Sequence, residues 1–220
     1  MHRTESPLVI VAIGLAALAG FVDALAFTSL GGFYASFMSG NSTRLGVGLG
    51  ADGIGDALTA FALVLSFVSG VILASVIARA APGRDKAMIM TTVTGLLVLA
   101  AIVATVMPGP IALLLLAMAM GCENGVFTRD GEVTIGLTYM TGTIVRMGQK
   151  LAAALMGDGD RWAWVPYLAL WLGFVAGAVS GAASQLRWGW SALWLAAIVS
   201  AVLAIVIARA ERSALSPAPR

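Results

Sequence analysis

Six windows of about 20 apolar residues, each long enough to cross a hydrocarbon core of roughly 30 Å, divide this chain. They run Leu8–Leu30, Ala57–Ala78, Ala87–Met107, Gly109–Phe127, Trp162–Ser184 and Gly189–Ala208. Lipid offers the backbone no hydrogen-bond partners, so a window of this length must satisfy itself as a helix. The composition agrees, with 60% apolar and 11% charged residues, where soluble domains carry about 25% charged. The chain therefore reads as an all-α polytopic membrane protein, a single transmembrane domain over 1–220 whose first partner is the lipid bilayer. The net charge of +2, scattered through loops, forms no basic stripe, and no nucleic-acid partner is expected.

The first window resembles a secretory leader, because Arg3 precedes it and Ala17-Leu18-Ala19 has the small-residue spacing of a cleavage site. Apolar sequence nevertheless continues to Leu30, and the segment has an internal counterpart, so it reads as a spanning helix. Cys122 is the only cysteine and His2 the only histidine, so the sequence predicts neither a disulfide nor a metal cluster. No phosphate loop, zinc-binding helix, nucleophile elbow or dinucleotide fingerprint occurs, and neither an enzyme nor a cofactor is expected.

The chain is internally repetitive. Met38-Ser39-Gly40-Asn41-Ser42-Thr43-Arg44-Leu45-Gly46 aligns with Met140-Thr141-Gly142-Thr143-Ile144-Val145-Arg146-Met147-Gly148. Upstream, Asp23 pairs with Glu123 and Phe27 with Phe127, after a two-residue insertion in the second copy. Downstream, Ser66, Gly70 and Ala74 fall opposite Gly173, Gly177 and Gly181. Repeat 1 covers 8–107 and repeat 2 covers 109–208, each with three spanning helices and a short polar segment. The small residues spaced by four permit close helix contact, and packing is their expected role.

Positive residues predict orientation. Arg79, Arg84 and Lys86 follow the second window, and Arg209, Arg212 and Arg220 follow the last. Both clusters fall on the cytoplasmic side, with both termini, if the polar segments 39–50 and 141–156 do not cross. Each half then crosses three times, which makes the repeats inverted in topology. The ten residues from Asn41 to Gly50 would extend about 15 Å as a helix, half a hydrocarbon thickness, which suits a re-entrant half-helix. Lys150 places part of the second segment at the interface, and Trp162, Trp164, Trp188 and Trp190 suit an aromatic belt.

Phe21-Val22-Asp23-Ala24 followed by Met38-Ser39-Gly40-Asn41 resembles the YoaK family of bacterial inner-membrane proteins, a domain of unknown function. The likeness covers nearly the whole chain. Serine stands for the threonine of that family's Thr-Gly-Asn motif, and Thr143 for the asparagine in the echo Thr141-Gly142-Thr143. The resemblance implies a multi-pass inner-membrane fold and a small-molecule transport role, with no established substrate.

Two carboxylates, Asp23 and Glu123, lie inside spanning windows, where each costs a few kcal/mol and so marks a functional candidate. At equivalent repeat positions they are expected to face each other and to couple a proton or cation, or to pair with Arg44 or Arg146. Gly40-Asn41 and Gly142-Thr143 are expected to start and cap short helices. Such a helix start would offer N–H groups to an anion or polar solute, with Arg44 and Arg146 one turn on, Thr141 alongside, and Asn124 beside Glu123 as a further hydrogen-bonding group. These residues predict a small-solute transporter. A channel for a polar solute or anion and a non-transporting structural protein are the alternatives, and a homo-oligomer is left open.

Overall fold

The computed structural model describes residues 6–129, 132–133 and 139–215. Among the described residues eight α-helices follow one another: α1 (Ser6–Ser29), α2 (Met38–Gly50), α3 (Ile54–Ala80), α4 (Asp85–Val106), α5 (Pro110–Glu123), α6 (Met140–Leu155), α7 (Val165–Trp188) and α8 (Leu193–Leu215). Five stretches are long and apolar enough to cross a membrane. The last of them, Val165–Ser213, has 49 residues and is two helices, α7 and α8, divided by a 3-10 turn at Gly189–Ala192. Gly189 takes φ +54° there, a left-handed conformation that ends α7. The six expected windows thus correspond to α1, α3, α4, α5, α7 and α8. The segments expected to be short are short: α2 has 13 residues and α6 has 16, lengths of about 20 and 24 Å.

One difference lies after α5. A 3-10 turn, Asn124–Phe127, leads into a two-residue ladder in which β1 (Thr128–Arg129) pairs antiparallel with β2 (Glu132–Val133). This hairpin occupies the stretch where the second repeat is longer than the first. A hairpin needs only local pairing and leaves no run of strand periodicity for the sequence to show.

α1 and α5 are the centre of the bundle, with 56% and 67% of their spanning windows buried against 28–39% for the others. Each pairs with a helix of the opposite half through glycine. Gly173, Gly177 and Gly181 of α7 lie on the backbone of α1 at Ile13, Ala17 and Phe21, and Gly20 of α1 lies on α7 at Phe174. In the second pair, Gly70 of α3 lies on Met118 of α5, and Gly121 of α5 lies on Phe67 of α3. The Ser66 hydroxyl donates to the Leu114 carbonyl at 2.6 Å in the same seam. The small-residue stripes therefore act as packing surfaces. Residue numbers rise together in both seams, so α1 runs parallel to α7 and α3 parallel to α5.

α4 and α8 run antiparallel. Thr94 and Ser200 share a hydroxyl hydrogen bond of 2.8 Å, while the Glu211 carboxylate accepts from the backbone N–H groups of Lys86 and Ala87, each at 3.1 Å. The second contact brings the basic residues around Arg84 and Arg212 to one end of the bundle. Arg220 and His2 lie outside the described residues.

A Cβ at Gly121 or Gly177 would be driven into the carbonyl of Phe67 or Ala17, so neither seam can absorb a side chain without moving a backbone. Gly121→Val and Gly177→Val should each lower the melting temperature of the detergent-solubilised protein by the equivalent of about 1–3 kcal/mol or more, the overpacking range. Gly142→Val, at a position with nothing within 4 Å, should leave it nearly unchanged.

Candidate functional site: two carboxyls in the central helices

The loop after α1 explains Asp23. Gly31 and Gly32 take φ of +66° and +94°, conformations that favour glycine, and they turn the chain back along the helix it has just left. Ser36 then meets Asp23, six residues before α1 ends at Ser29, a depth of about 9 Å. The Asp23 carboxylate accepts from the Ser36 backbone N–H and from the Ser36 hydroxyl, both at 2.6 Å. Both residues are buried.

Asn41 holds the same loop from the other side. Its amide oxygen accepts from the Tyr34 N–H at 3.1 Å, and its amide nitrogen donates to the Tyr34 carbonyl at 2.7 Å. This corrects the expected cap: α2 begins at Met38 and α6 at Met140, with no side-chain cap on either. Asn41 lies inside the first turn, and a non-helical backbone held at this depth competes for its amide. Gly40 sits against the rings of Phe37 and Tyr34, so the glycine serves close packing beside the loop.

Arg44 completes the clamp. It donates to the Gly32 carbonyl at 3.1 Å, pairs with Asp56 at 3.2 Å, and lies 4.1 Å from the centre of the Phe33 ring. Its ion partner is therefore Asp56 at the start of α3, and Asp23 is satisfied by Ser36. Reasoning from the spanning windows passed over Ser36 and Asp56 because both lie outside the apolar cores. Their proximity to a flagged residue arises only when the loop folds back.

Glu123 presents the opposite case. It ends α5, is 0% exposed, and neither carboxyl oxygen has a hydrogen-bond partner among the described residues. The helices that carry the two carboxyls, α1 and α5, touch each other. The surroundings of the two carboxyls are unequal: one is anchored and one is bare. Asn124 follows, buried, with its amide donating to the Met120 carbonyl at 2.8 Å. Cys122 is a buried packing residue with a free thiol.

The second polar segment is not drawn into this group. α6 packs on α7; Thr143 is buried, while Thr141, Gly142 and Arg146 are exposed. Of the ten residues expected to form a pathway, Asp23 and Glu123 lie on the touching helices α1 and α5, Asn124 follows Glu123, Gly40, Asn41 and Arg44 surround the first loop, Thr143 is buried on α6, and Thr141, Gly142 and Arg146 are exposed. Two apolar clefts of about 250 and 220 Å³ open elsewhere on the bundle, and neither is lined by a carboxyl. Among the described residues no cluster of histidine, cysteine and carboxylate could hold a metal.

A bundle of long apolar helices around two buried carboxyls defines an α-helical membrane protein of the multi-pass class. The chain belongs to the family described as "Protein of unknown function (DUF1275)", whose model matches residues 11–206. It is 33% identical over 206 residues to the UPF0700 transmembrane protein RA0705 of Rhizobium meliloti (strain 1021), covering 92% of this chain and 86% of that protein. It is 25% identical over 147 residues to the UPF0700 transmembrane protein YoaK of Bacillus subtilis (strain 168), covering 62% of this chain and 64% of that one. No solved structure matches.

The two carboxyls should respond differently to neutralisation. Asp23→Asn weakens two charge-assisted bonds to Ser36, and hydrogen bonds to charged groups contribute about 1.5–3 kcal/mol each. Its melting temperature should fall clearly, and Ser36→Ala should reproduce part of the loss. Glu123→Gln breaks no hydrogen bond and should leave thermal stability unchanged or raised.

Proposed function

We propose that this protein moves a small polar solute across the bacterial inner membrane by alternating access, coupled to a proton or cation at Glu123. The observation that carries the reading is the bare carboxyl itself. An uncompensated charge buried in a protein is strongly destabilising, so the site calls for a counter-charge, either a proton on the carboxyl or a cation beside it. A buried group that must exchange a counter-charge is what coupling requires, and ionisable residues at membrane depth are functional candidates for that reason. Asp23, anchored to Ser36, serves as a fixed partner that holds the first re-entrant loop. No catalytic step enters the proposal.

The inverted-repeat architecture, with repeat 1 at 8–107 and repeat 2 at 109–208, belongs to the same proposal. If each long helix crosses once, parallel α1 and α7 require that α2 and α6 either both cross or both fail to. Antiparallel α4 and α8 agree only with neither crossing. Six crossings follow, with both termini on one side. The basic residues gathered near Glu211 support the cytoplasm as that side. An antiparallel pair of equivalent helices also supports a symmetry axis in the membrane plane, because a twofold along the membrane normal would leave them parallel. Glu123 is fully occluded, which supports alternating access over an open channel.

In vesicles holding a trapped pH dye, a panel of small organic ions and neutral polar solutes should include one that drives proton movement through the unaltered protein. Glu123→Gln should abolish that movement without loss of folded protein. Movement that survives the substitution, or its absence from the unaltered protein across the panel, removes the coupled reading in favour of a channel or a structural role. In a Cys122→Ser background, cysteines at Arg84 and Ser213 should label only from the cytoplasm and one at Ala51 only from outside. Labelling of Arg84 and Ser213 from opposite faces would overturn the six-crossing arrangement.

A further inference from the structure

We infer that α6 is an interfacial helix that binds anionic phospholipid headgroups through Arg146 and Lys150, and that Arg146 lies outside any solute pathway. Its counterpart in sequence, α2, is seated on α3: Gly48 lies against Ala57 and the Gly53 carbonyl, and Arg44 is tied to Asp56. Among the described residues α6 has no such seat. It packs on α7, with Thr143 its one buried residue.

The sides of α6 differ in chemistry. Ile144, Val145 and Leu155 are 43%, 52% and 80% exposed, an apolar surface that α7 does not cover. Arg146 and Lys150, one turn apart, share a neighbouring edge with Gln149. The helix Met140–Leu155 contains no acidic residue, and neither cation forms an ion pair among the described residues. The helix is too short to span, at about 24 Å. Its apolar side cannot rest in water and its cations cannot rest in hydrocarbon, and the boundary between the two satisfies both. The connection to α7 carries the marks of that boundary: Trp162 is 57% exposed with the Arg161 guanidinium 5.1 Å from its ring centre. Unpaired cations at this depth meet the phosphate layer, which makes an anionic lipid the complementary occupant.

The test uses the full chain in phosphatidylcholine vesicles with a trace of spin-labelled phosphatidylglycerol or phosphatidylcholine. The protein-associated fraction of labelled phosphatidylglycerol, relative to phosphatidylcholine, should fall by up to about fivefold for each of Arg146→Gln and Lys150→Gln, the effect of one cation near an anionic surface. Arg146→Lys should retain the preference. Added inorganic phosphate should not displace the lipid; displacement would assign the site to a free anion and overturn the inference. In a Cys122→Ser background, a fluorophore at Gln149→Cys should be quenched by headgroup nitroxide in preference to aqueous iodide. Iodide quenching alone, or an unchanged lipid preference in the double variant while Arg84→Gln lowers it, would return α6 to the solute pathway or move lipid recognition to the basic end. Both results would overturn the inference without touching the test of Glu123.

Discussion

Backbone-to-backbone contact at glycine is the interaction on which this fold depends. Between helices in lipid there is no hydrophobic drive, because the tails are as apolar as the side chains, and association rests on close packing and occasional polar bonds. Gly177 on Ala17 and Gly121 on Phe67 supply that packing at the two seams that bury α1 and α5. Each seam joins one half of the chain to the other, so neither half completes its own core. The carboxyls then fall where the packing is tightest, on the two most buried helices.

The unequal surroundings of those carboxyls follow from their loops. Gly31 and Gly32 turn the first loop inward, and its backbone needs partners at a depth where water is scarce. Asp23 and Asn41 supply them, and Arg44 closes the outer side through Gly32, Phe33 and Asp56. A polar residue that looks like a solute ligand by type can thus be consumed by the backbone beside it. Glu123 is longer by one methylene, sits at the last residue of its helix, and has no such bonds. The two positions matched in sequence therefore carry an anchor in one half and an uncommitted acid in the other.

α2 and α6 differ in the same manner. Their shared Met-x-Gly…Arg…Gly pattern was visible in the sequence, yet Gly48 lets α2 lie against α3, whereas α6 has Lys150 on its polar edge and, among the described residues, packs on α7. Equivalence in sequence marked both as short and polar and could not reveal which one was held. The expected caps at Asn41 and Thr143 failed for a related reason. Capping preference is a local property of a helix start, and the burial of these two side chains is not.

By itself the sequence determined the spanning helices, their order, the duplicated pattern and the two intramembrane carboxyls, because hydrocarbon thickness demands apolar length and a buried acid is costly enough to stand out. It also determined that the small-residue stripes would be contact surfaces. Tertiary structure alone decided which helices those stripes join, that α1 follows α7 and α3 follows α5 in direction, that Ser36 serves Asp23, and that Glu123 is left bare. A stripe of glycines states only that some backbone comes close. Which backbone it is, and which polar groups are thereby satisfied or abandoned, depends on contacts between residues such as Ser66 and Leu114 or Thr94 and Ser200 that lie far apart in the chain.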